Sequence, residues 1–147
     1  MSKRVFLLGI VCLGLSSCIL APAMDSFQKA GFTQADRARL LVQDVKKFHE
    51  ALYWGDPGKA MSYVAEEGLP SVSQAIKDSR RNNERVIDSR IDYTDYTDGG
   101  YGAKVDVVVK YYKVPYYTVN ERFETQTWEF SLVSGWKLVS RDIQAKG

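Results

Sequence analysis

His49 is the one histidine among the 147 residues, and acid/base chemistry would start there because an imidazole changes charge near neutral pH. On a helical wheel it lies about 60° to the side of its helix's apolar stripe, level with Val42 and Tyr53, where it could face the mouth of a cavity rather than water. The functional reading makes it a general base or a polar contact for a ligand. The ordinary reading, which is preferred, is a boundary histidine hydrogen-bonded to a neighbour. Acid/base work needs a second group, and Glu121, on the strand face of Val119 and Phe123, is the carboxylate whose spacing suits that role. Asp56, just before Pro57, reads as a helix cap rather than a catalytic acid.

Tyrosine is the one compositional excess. Tyr93, Tyr96, Tyr101, Tyr111, Tyr112, Tyr116 and Tyr117 crowd residues 93–117. An apolar ring with a polar tip suits half-buried strands and contact surfaces equally. Sheet packing is the plainer expectation. The sharper one is an aromatic surface, carried by Tyr93, Tyr96, Tyr101, Tyr112 and Tyr116, for a glycan or an envelope protein. No Gly-rich phosphate loop, nucleophile elbow or Cys/His cluster is present, so neither a cofactor nor a metal is expected. The chain carries 20 basic and 18 acidic residues, and without Lys3 and Arg4 the two signs balance. Near-neutrality removes the simplest argument for a nucleic-acid partner.

The elements that must position these residues follow from periodicity. Leu41, Val45, Phe48 and Leu52 form one apolar stripe of a helix from Asp36, its expected cap, to about Tyr53. Asp56-Pro57 opens a short second helix to about Glu66, and Pro70 a third over about 71–82 with Val72, Ala75, Ile76 and Ser79 inward. The period then changes to two, predicting strands over 85–94, 102–114, 117–132 and 136–143, with turns at Gly99-Gly100, Pro115 and Ser134-Gly135. In the third strand the apolar residues are odd-numbered early (Tyr117, Val119, Phe123) and even-numbered late (Trp128, Phe130, Leu132). A one-residue bulge over 124–127 would keep both halves facing one core. Helices first and antiparallel strands after predict an α+β domain over 35–147, with N-terminal helices packed on a curved, bulged antiparallel sheet in a cone-like arrangement.

The start of the chain carries an address. Lys3 and Arg4 precede an apolar run from Val5 to Leu15, about half the length of a membrane span, and small residues follow. The quartet Leu15-Ser16-Ser17-Cys18 resembles the lipobox of bacterial lipoproteins. That resemblance implies a signal peptide over 1–17, cleavage before Cys18, and a diacylglyceryl thioether and amino-terminal acyl chain on that cysteine. Several acyl chains, at about 0.8 kcal/mol per buried methylene, make a lasting anchor. The alternative is an ordinary cleaved signal in which Cys18 is incidental. Ile19 after the cysteine implies, in the enterobacterial sorting scheme, the periplasm-facing side of the outer membrane. Residues 18–34 show no sustained period and read as a short lipidated tether.

Two further stretches carry a second resemblance. Phe48-His49-Glu50-Ala51-Leu52-Tyr53-Trp54-Gly55-Asp56 with Ala60 beyond it is similar to the opening of nuclear-transport-factor-2-like (ketosteroid-isomerase-like) domains, and Trp128-Glu129-Phe130 through Gly135-Trp136-Lys137-Leu138-Val139 to their last hairpin. The likeness implies a sheet wrapped into a cone around a cavity. Members of that family include enzymes and binding modules, so two functions stay open: a non-enzymatic binding or accessory module beside the membrane, and a small pocket enzyme or ligand carrier using His49. The isomerases pair an aspartate with tyrosine-type donors, a pattern that maps onto no particular positions here.

Overall fold

The computed structural model describes residues 30–144. The expected signal segment, Cys18 and the expected tether up to residue 29 lie outside the described residues. Helix α1 (Gln34–Tyr53) begins at Thr33, not Asp36: the threonine Oγ1 accepts from the Asp36 amide at 3.1 Å, and Asp36 sits inside the first turn. An acidic side chain there favours the helix through the orphan amides and the dipole, which explains why it resembles a cap in sequence. The expected stripe is the buried one, with Leu41, Val45 and Phe48 at most 1% exposed. Asp56 caps α2 (Pro57–Met61), accepting from the Lys59 amide at 2.9 Å. This helix is five residues shorter than the sequence suggests, because the chain at Tyr63–Ala65 turns to pair with the sheet. Helix α3 (Leu69–Arg81) presents Val72 to the core.

Strands β1 (Glu84–Thr97), β2 (Gly102–Lys113), β3 (Tyr116–Ser131) and β4 (Gly135–Gln144) form one antiparallel sheet in the order β1-β2-β3-β4. Among the described residues, helices α1, α2 and α3 lie over one face of this curved, open sheet. Phe48, Val105, Val107, Trp128, Trp136 and Leu138 fill the layer between them. At the β4 edge, the Ala65 amide donates to the Leu138 carbonyl and the Leu138 amide to the Tyr63 carbonyl, so that edge is covered. Among the described residues, no helix is long and apolar enough to cross a membrane.

The bulges are not where the sequence suggests. Strand β3 runs against β2 in unbroken register from Glu129 to Asn120, so the predicted bulge over 124–127 is absent. Even-numbered residues face inward from Glu124 to Phe130, and the odd-numbered apolar residues Val119 and Phe123 lie on the uncovered face, 54% and 42% exposed. Extra residues sit on the outer strands, and the β2–β3 ladder is irregular only beside its turn, where Tyr111 pairs with Asn120 and Lys113 with Tyr116. Val86 pairs with Tyr111 and Asp88 with Lys110, and then Ile91 with Val107 and Tyr93 with Asp106, so β1 bulges at Ile87 and Asp92. On β4, Thr127 pairs with Ser140 and Trp128 with Leu138, leaving Val139 unopposed. Each bulge adds local twist and shifts the inward phase by one residue. Gly68 packs against the last of them: a Cβ there would stand 2.7 Å from the Leu138 carbonyl oxygen and 2.8 Å from that of Val139.

Candidate functional site

The inward face of β3 carries charge where period-two packing would ordinarily place apolar side chains. Arg122, Glu124, Gln126 and Trp128 alternate along that face, and Glu124 and Gln126 are fully buried. The Val139 bulge turns Arg141 to the same side. Its Nε donates to Glu124 Oε2 at 2.7 Å and its Nη2 to Glu124 Oε1. Arg122 approaches from the other flank, with Nε donating to Glu124 Oε1 at 2.6 Å and Nη1 to Glu84 Oε2 at 2.9 Å. Burial pushes the Glu124 carboxyl up, but the hydrogen bonds and charge of Arg141 and the charge of Arg122 outweigh it and hold the group down at about 2.

Gln126 links this cluster to His49. The Trp128 indole donates to Gln126 Oε1 at 3.2 Å, while Gln126 Nε2 donates to Glu124 Oε2 at 3.2 Å and lies 3.0 Å from His49 Nε2. An indole nitrogen only donates and a carboxylate only accepts, so the amide orientation is fixed. His49 Nε2 must then accept, and the ring proton sits on Nδ1. That nitrogen is the one buried side-chain polar atom among the described residues with no partner. Burial pushes the imidazole down to about 4, against the pull of Glu124, so it is neutral at physiological pH.

Beside the cluster lies a cavity of about 100 Å³ at the junction of the helices with β1, β3 and β4. Leu52, Ala75, Ile76 and Val86 supply apolar wall, and Arg122 and Arg141 supply the polar side. His49 does not line it. It faces clefts on the α1–β1 side, with Lys46 and Ser89.

The other sequence-derived candidates are dispersed. Glu121 is not inward: it lies on the uncovered face in an exposed ion pair with Lys110 at 3.8 Å, because without a β3 bulge its odd position points away from the helices. His49, expected at a boundary or a rim, is 3% exposed, although the neighbourly hydrogen bond is there. Tyr96 turns inward and packs against the core, whereas Tyr93 sits 61% exposed opposite Asp106. Tyr101 carries the Arg37 guanidinium 4.1 Å above its ring, and Arg37 itself ties the Gly31, Phe32, Gly99 and Gly100 carbonyls together. Tyr112 and Tyr117 stack at 5.4 Å beside the exposed Tyr116, at the opposite end of β2 from Tyr101, about 35 Å along the strand. The tyrosines therefore form two groups. Arg122, Glu124, Gln126 and Arg141 were missed in sequence, although counting back in twos from Trp128 reaches the first three. Among the described residues, no three His, Cys, Asp or Glu side chains gather as metal ligands would.

Helices over a curved, open four-stranded antiparallel sheet define an α+β cone, consistent with the nuclear-transport-factor-2-like type. The chain is similar in fold to the intermembrane space region of the chloroplast protein ARC6, with a TM-score of 0.51 and 14% identity over 74% of this chain and 97% of that one. It is also similar to a provisionally assigned polyketide cyclase from Xanthomonas campestris pv. campestris, with a TM-score of 0.52 and 11% identity over 75% of this chain and 93% of that one. At such identities the likeness is one of fold. No protein-family model matches the sequence, and no curated protein matches it.

Proposed function

We propose that this protein is a non-enzymatic binding or accessory module of the bacterial cell envelope, held by lipid on Cys18 at the periplasmic face of the outer membrane. The observation that carries the non-enzymatic half is the occupancy of Glu124. Arg141, Arg122 and Gln126 take its oxygens, so the one fully buried acid among the described residues has little left to offer a substrate. A general acid or base works best with a pKa near the operating pH, and Glu124 and His49 both stand well below it. The anchoring half rests on the order of basic start, apolar run, small residues and cysteine in Lys3 to Cys18. Exposed aromatic side chains at Tyr93, Tyr101 and Tyr116 suit an envelope-protein or glycan partner.

A second reading, a pocket enzyme or ligand carrier using His49, has one observation in its favour: the unpartnered Nδ1–H. Against it, His49 is sealed at 3% exposure and does not line the arginine-bearing cavity.

Metabolic labelling with palmitate tests the anchor. The wild-type chain takes up label and sediments with membranes, and the Cys18→Ala variant does neither. A variant that still incorporates palmitate contradicts the proposal.

A further inference from the structure

The cavity beside Glu124 has an asymmetry that its structural role leaves unexplained. Each arginine uses two of its three guanidinium nitrogens inside the cluster: Nε and Nη1 for Arg122, Nε and Nη2 for Arg141. Arg122 Nη2 and Arg141 Nη1 enter none of these bonds. Neither is among the sealed, unsatisfied atoms, of which His49 Nδ1 is the one example among the described residues, so both keep open surface. Both side chains are nonetheless little exposed, at 14% and 4%, and both line the cavity and the more open cleft next to it. Arg80 and Arg85 also stand in the wall, which carries Glu84 as its one acid. Four cations around the space face two carboxylates, Glu84 and the Glu124 behind it. A guanidinium fixed along one edge by a buried carboxylate is preorganised, so a second anion met by its free nitrogen costs little ordering. The same wall carries Leu52, Ile76 and Val86, which a simple inorganic ion would leave unused.

We propose that this cavity binds a small organic acid, its carboxylate held by Arg122 Nη2 and Arg141 Nη1 and its apolar body lying against Leu52, Ile76 and Val86. The assignment rests on the binding-module reading and names its ligand class. Glu124 is then a positioning residue: it holds both guanidinium groups at the cavity edge and touches no ligand itself.

Calorimetric titration of the full chain in detergent micelles tests the assignment, with benzoate and hexanoate as probes, benzamide and hexanamide as their neutral counterparts, and inorganic phosphate as a bare anion. The carboxylates bind saturably, and the amides bind about tenfold more weakly or worse, as the loss of a charge-assisted hydrogen bond requires. Because changing either arginine endangers the fold, the discriminating variant is Ala75→Trp, which fills the cavity from α3 and removes no member of the charged cluster; it abolishes carboxylate binding while the thermal transition persists. Three results overturn the assignment: no carboxylate binding, phosphate binding as tight as benzoate, or undiminished binding to Ala75→Trp. Palmitate labelling reports on the anchored-module reading independently, so a lipidated chain that ignores organic acids loses this ligand and keeps its anchor.

Discussion

Glu124 and Arg141 are joined by two hydrogen bonds, although strict alternation from Trp136 and Leu138 would place Arg141 on the opposite face of the sheet. Val139 reconciles the two facts. As the unopposed residue of β4 it shifts the inward phase from even to odd positions, and Arg141 comes to lie diagonally across from Glu124. One inserted residue thus decides whether the interior of this domain carries a compensated charge or a bare one.

Removing the acid leaves two guanidinium groups facing each other in the interior. Glu124→Gln therefore destabilises the domain by about 3–5 kcal/mol, the usual result of taking one partner from a buried ion pair. Replacing Glu124, Arg122 and Arg141 together by Leu, Met and Met removes the desolvation cost along with the attraction, and restores most of that loss. Chemical denaturation of the three proteins checks both statements. Equal stability of wild type and Glu124→Gln would show that the arginines do not depend on this carboxylate.

Deleting Val139 returns β4 to strict alternation and sends Arg141 outward. The expected cost is close to that of Arg141→Met, because each strips one arginine from Glu124, and combining the two changes adds little. Denaturation midpoints for the single and double variants measure this coupling. Full additivity would mean that the bulge serves something other than the ion pair.

The acid side of the stability profile belongs first to His49. Its folded pKa of about 4 lies below the ordinary 6.5, so between those values the unfolded chain takes up a proton that the folded chain refuses. Stability contributed by the neutral ring is complete above about pH 6.5 and falls as pH drops toward 4, by about 3 kcal/mol at about 1.4 kcal/mol per unit. The contribution of Glu124 is present above the ordinary carboxylate value near 4.5 and is lost at lower pH still, toward 2. Urea titrations between pH 4 and 7 should show the first slope in the wild type and a flatter profile in His49→Phe.

The order of elements was legible in the sequence because Leu41, Val45 and Phe48 keep helical spacing and Val105, Val107 and Val109 keep a period of two. The candidate site was not, for a physical reason. Hydrophobic alternation reports the core face only where that face is apolar, and on β3 it carries Glu124 and Gln126 while Val119 and Phe123 lie on the uncovered side. The change of phase therefore reads in sequence as a bulge on β3, whereas the compensating bulge lies on β4. Pairing decides such positions, since a single unopposed residue exchanges the faces of everything beyond it.

The described interior is a locked polar scaffold in which Glu124 and His49 both stand well below neutral pH. Nitrogen-15 NMR of the His49 ring through an acid titration tests this most directly, because one experiment reads both tautomer and midpoint. The network predicts a neutral ring protonated on Nδ1 and a midpoint near 4. A ring protonated on Nε2, or one titrating at 6.5 or above, would contradict it.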